Sequence, residues 1–228
     1  DSFTYDGSIT GTGKLGKAGS GTLILTGTNT YAGTTIISGG TLQLGNGGAT
    51  GSPGNGAITN DGTLAINRTG TISIGNLING TGNLHVTTPG TLMLSATNGY
   101  SGGTMINNGI VQADANDALG TGKITIGQSD ISSTSHSLRL NGVTLGNAVD
   151  AKFMYTADYL GTITAIGGSP STINGAVAIF PAVAGAPSRG GHLASFGAGS
   201  VLRLMGTLDV SGGQTVITHR DGTVEYGG

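Results

Sequence analysis

Residues 21–45 read Gly21-Thr22-Leu23-Ile24-Leu25-Thr26-Gly27-Thr28-Asn29-Thr30-Tyr31-Ala32-Gly33-Thr34-Thr35-Ile36-Ile37-Ser38-Gly39-Gly40-Thr41-Leu42-Gln43-Leu44-Gly45. The pattern returns 69 positions later as Gly90-Thr91-Leu92-Met93-Leu94, Asn98, Tyr100, Gly102, Thr104, Ile106, Gly109 and Gln112, with 12 of 24 aligned positions identical and no gap. Upstream, Gly11-Thr12-Gly13-Lys14-Leu15 is echoed by Gly80-Thr81-Gly82-Asn83-Leu84. A repeated unit can bury its apolar face against its neighbour, so stacked repeats read as surfaces or spacers before catalytic clefts.

Apolar residues alternate in pairs: Leu23/Leu25, Leu42/Leu44, Leu64/Ile66, Ile72/Ile74, Leu84/Val86, Leu92/Leu94 and Ile124/Ile126. A spacing of two puts both members on one face of a strand, and helical periodicity is hard to find. Many strands open with Gly-Thr-Leu or Gly-Thr-Ile, at positions 21, 40, 62, 70, 90 and 206. The spacing of the first three suits one coil of a parallel β-helix, roughly 20–25 residues long. The expected fold is an all-β, right-handed parallel β-helix of about ten rungs, with the 69-residue repeat spanning about three of them. A β-sandwich is the competing fold, but it does not account for a long ungapped repeat. Asn79-Gly80, Asn98-Gly99 and Asn108-Gly109 are expected to take positive φ at corners. The domain reading is repeat-bearing coils over 1–127, then less regular coils of the same domain over 128–228.

Composition narrows the function classes. Glycine is 46 of 228 residues and charged residues are 9%, yet the glycines separate short apolar runs and so read as turns. With no cysteine there is no disulfide, thiolate metal site or thiol nucleophile, which suits a chain that crosses an oxidising periplasm unfolded. Net charge is −2 and the nine basic residues are scattered, so the footprint of a nucleic-acid binder is missing. No run of eighteen apolar residues occurs.

Residues 21–45, with leucines at spacing two, Asn-x-Tyr-x-Gly and a closing Gly-Thr-Leu, resemble the passenger-associated transport repeat of bacterial autotransporters. Residues 90–113 look like a second, diverged copy. The resemblance implies a type V secretion passenger, extracellular at a Gram-negative surface or released from it. It also implies a leader and a C-terminal outer-membrane barrel in the parent chain, so the sequence reads as an excised piece. In that family the repeat goes with export and stacking rather than with a fixed ligand.

The chemical motifs are weak. Gly11-Thr12-Gly13-Lys14-Leu15-Gly16 matches the dinucleotide fingerprint, but the helix it needs is not visible. His85, His136, His192 and His219 form no ligand pair at metal spacing. Asp114-Ala115-Asn116-Asp117 and His219-Arg220-Asp221 read as turns. No catalytic residue, cofactor or metal is assigned, and the chain is read as a non-enzyme. Asn29, Tyr31 and Gly33 recur as Asn98, Tyr100 and Gly102, and recurrence at a fixed phase favours architecture, with the aromatic at a corner and the Asn satisfying turn amides. Phe153, Tyr155 and Tyr159 do not recur; they are either core or an exposed partner-binding patch. The leading functional expectation is an adhesin or self-associating surface protein, whose partner is a host-cell or matrix component or another copy of itself. The alternatives are a passive stalk that aids export and a carbohydrate-active β-helix enzyme.

Overall fold

The computed structural model describes residues 1–127, 136–153, 163–181, 192–210, 216–220 and 222–227. Every strand pairing among them is parallel, and the chain winds as the β-helix that the alternating pairs predict. Each coil lays strands on three faces. The first face is one row of ten strands, running from Ser2–Tyr5 through Thr22–Leu25, Thr41–Leu44 and Thr63–Ile66 to Leu208–Asp209. At the strand spacing of a parallel sheet, that row is about 43 Å long. The second face starts at Thr71–Ile74 and passes through the later half of Asn83–Leu94 to Val216–Arg220. The third carries Leu15–Lys17, Thr35–Ile37, Ile58–Asn60 and Ile78–Asn79, and then Thr144–Leu145 to Thr223–Tyr226. Between these two sets the ladder is carried by Gly99 N–H to Ile78 O, Asn98 N–H to Asp117 O and Asp117 N–H to Thr144 O.

The core is built from both members of these alternating pairs. Leu42, Leu64, Leu84, Thr104, Ile124, Val149 and Val177 follow one another in register, and Leu44, Ile66, Val86, Ile106, Ile126 and Ala151 form the next column. All are buried, so each coil removes its apolar surface from water against the coils on either side. Up to Ile124 the coils are nearly equal in length, with Ser2, Thr22, Thr41, Thr63 and Asn83 stacked in turn and then Leu84, Thr104 and Ile124. Beyond it they lengthen, and the successive partners are Val149, Val177 and Leu208.

The register corrects the size of the repeat. Thr22, Thr41 and Thr63 stack in one column whose next member is Asn83, not Thr91, the repeat equivalent of Thr22. Gly90–Leu94 lies instead on the second face, paired with Thr71–Ile74. Thr104–Ile106, equivalent to third-face Thr35–Ile37, lies on the first face. The shift from Thr22 to Thr91 therefore carries the chain through three full coils and one face more, and the second copy is turned by a third of a revolution. One corner expectation also changes: Gly80 and Gly109 have positive φ, at 114° and 79°, but Gly99 does not. A Cβ at Gly99 would meet only the Asn79 side-chain amide, 2.5 Å away at Oδ1, which is exposed and can move aside.

Candidate binding groove

The recurring residues are positioned by the stacking. Tyr31 and Tyr100 are 1% and 0% exposed, inside the rod at a corner. Each phenol oxygen lies 2.6 Å from the hydroxyl of a buried threonine four residues on, Thr35 or Thr104. Burial pushes the Tyr100 hydroxyl pKa well up, so it stays protonated as a hydrogen-bond partner. Asn29 Oδ1 accepts from Ile9 N–H and its Nδ2 donates to Ser52 O, so it ties three coils together. Asn98 repeats the arrangement, accepting from Ile78 N–H and donating to Ala118 O. A Cβ on Gly33 would run into the Gly13 carbonyl, and one on Gly102 into the Gly82 carbonyl 2.6 Å away. The tyrosine and asparagine side chains face the interior or bond to the neighbouring coils.

The carboxylates likewise bond from coil to coil. Asp6 accepts from Thr26 Oγ1, Asp61 from Thr81 N–H, Asp114 from Asn141 Nδ2 and Asp117 from Gly146 N–H. Asn116 accepts from Thr144 N–H, so the Asp114–Asp117 segment is a turn stitched to the next coil. Leu15–Lys17 is a strand, so the glycine-rich segment at 11–16 does not open a helix. Among the described residues no group of three or more His, Asp or Glu side chains could hold a metal ion. Phe153 ends a first-face strand opposite Pro181. Tyr155, Tyr159 and Asp221 lie outside the described residues.

A groove of about 420 Å³ crosses five successive coils of the first face. Thr41, Thr63, Asn83, Gly103 and Lys123 give it one position per coil at the start of each strand. Two positions along each strand, His85, Met105 and Thr125 form a parallel column. Thr41 and Thr63 point outward because the alternating Leu42 and Leu64 point in. Gly103 opens the groove where its neighbours carry side chains; its φ of 92° favours glycine, and a Cβ there would lie 2.6 Å from the Lys123 carbonyl.

The charges in the groove are cancelled or suppressed. Lys123 forms an ion pair with Asp150 of the next coil. Burial holds the His85 imidazole below its ordinary pKa, so the ring is neutral near pH 7. Its Nε2 lies 2.5 Å from Asn107 Nδ2, and with the ring proton on Nδ1 it accepts from that amide. Chemically, the groove offers hydroxyls, an amide, a thioether and a neutral imidazole; no carboxylate lines it. The sequence signal for it was the threonine of Gly-Thr-Leu at 22, 41 and 63, which becomes a surface ladder only once the coil register is known.

The passenger-associated-transport-repeat family matches the chain at residues 15–44 and 89–113, the two copies of the echo. Together with the coiled fold, this makes the chain a β-helical autotransporter passenger segment, placed outside the bacterial cell at its surface or released from it. It is similar to the adhesin BmaC autotransporter of Brucella suis biovar 1 (strain 1330), at 48% identity over 83 residues. Those residues are 35% of this chain and 2% of the length of that relative. No solved structure matches the chain.

Proposed function

We propose that this passenger segment is adhesive and non-catalytic, holding a host-cell or matrix component, or another copy of itself, against the side of the rod. The observation that carries the reading is the groove across five coils, lined by outward hydroxyl and amide groups and by no carboxylate. Such a surface binds through many weak hydrogen bonds, and many copies on one cell convert weak contacts into firm attachment. The similarity to a protein named as an adhesin supports the same reading. In this proposal a longer parent chain delivers the segment through a C-terminal outer-membrane barrel. A passive stalk is the second reading; the inward Tyr31 and Tyr100 and the coil-bridging Asn29 and Asn98 favour it for the repeats themselves.

The test is display of residues 1–228 on a non-adherent Gram-negative strain, with adherent cells counted on host monolayers and matrix-coated surfaces and settling followed in suspension. Displaying cells should adhere or clump well above cells that carry the barrel alone. Equal counts in all three assays would leave the stalk reading in place of adhesion.

A further inference from the structure

We propose that the groove binds a neutral linear oligosaccharide laid along the rod axis, gripped by Thr41, Thr63, Asn83 and Thr125 and packed on Met105. The proposal deepens the adhesive reading, on which it rests for its biological meaning, by naming the ligand class.

The geometry of the groove selects the ligand. Thr41, Thr63 and Asn83 occupy equivalent positions in consecutive coils, so polar groups recur at about 4.8 Å along the axis. Their side chains make none of the hydrogen bonds that tie the coils together and are available to a ligand. An extended peptide presents same-face side chains at about 6.6 Å and falls out of step with this ladder. Nor can it add as a strand, because Thr41–Leu44, Thr63–Ile66 and Ile124–Ile126 are each paired on both sides. Nucleic acids and acidic polysaccharides need uncompensated cations, and Lys123 is already paired with Asp150. A chain of pyranose rings meets each requirement. It carries hydroxyls on every ring, repeats on a length close to one coil, bears no charge, and has an apolar C–H face for the thioether of Met105, which is 39% exposed. A groove this open holds a ligand weakly on its own, as suits a multivalent adhesive surface.

The test titrates the purified 228-residue chain with cellohexaose, maltohexaose and mannohexaose, and with hexagalacturonate as the acidic comparison, followed by calorimetry and NMR. At least one neutral hexaose should bind saturably, and more tightly than hexagalacturonate. The double variant T41V/T63V keeps the β-branched shape and removes two outward hydroxyls, so affinity should fall about tenfold or more at unchanged circular dichroism and Tm. Thr71→Val, on the second face, should leave affinity within about twofold. The proposal is overturned if no neutral hexaose saturates up to about 10 mM. It is equally overturned if T41V/T63V binds like the parent, or if hexagalacturonate binds more tightly. Hexaose binding without cell adherence would sink the adhesive reading and leave the groove assignment standing. Adherence with an empty groove would do the reverse.

Discussion

Single side chains settle where strength is kept in this rod. Tyr31 and Thr35 share one hydrogen bond in a site that excludes water, so removing either hydroxyl strands the other. Tyr31→Phe or Thr35→Val alone should cost about 1–3 kcal/mol, while the double variant should cost clearly less than their sum. Unfolding of the four proteins in denaturant measures this, and strictly additive losses would deny the pairing. His85 makes a pH prediction. Its folded pKa lies below the ordinary 6.5, so the unfolded chain takes up the proton first as pH falls. The stability tied to neutral His85 is therefore full above about pH 6.5 and is lost as pH drops toward the folded value. Thermal midpoints should fall further between about pH 7.5 and pH 5 in the parent than in His85→Gln, which keeps an acceptor for Asn107 and does not titrate. Identical falls would show that His85 carries no such linkage.

At the scale of strands, the sequence announced the first face and hid the third. Gly-Thr-Leu marks Thr22–Leu25, Thr41–Leu44 and Thr63–Ile66, and these three strands stack one on the next, as the tripeptide spacing predicts. The third-face strands Thr35–Ile37, Ile58–Asn60 and Ile78–Asn79 are two or three residues long, too short for alternation to register. Leu84/Val86 and Leu92/Leu94 looked like two strands, yet Asn83–Leu94 runs as one element over two faces. Its register shifts between Val86 and Thr91, a bulge that bends the strand at the corner and accommodates Pro89. The groove was illegible for a different reason. It gathers residues from five coils and depends on the missing side chain of Gly103, and no local pattern carries that information.

Over the whole molecule, the long repeat does not return to its own face. The exposed Ile36 and Met105 are repeat equivalents, yet Ile36 sits on the third face and Met105 on the first. A rod built this way shows equivalent outward residues on different sides. The most direct test of this architecture uses the absence of cysteine, which lets two introduced thiols report the register without interference. Across neighbouring parallel strands the Cα separation falls within disulfide reach. In the folded monomer, the pair Thr63→Cys/Asn83→Cys should oxidise readily to an intramolecular disulfide, while Thr63→Cys/Thr91→Cys should stay reduced. Efficient cross-linking of residues 63 and 91 with none between 63 and 83 would mean a repeat of three whole coils, and would contradict the account.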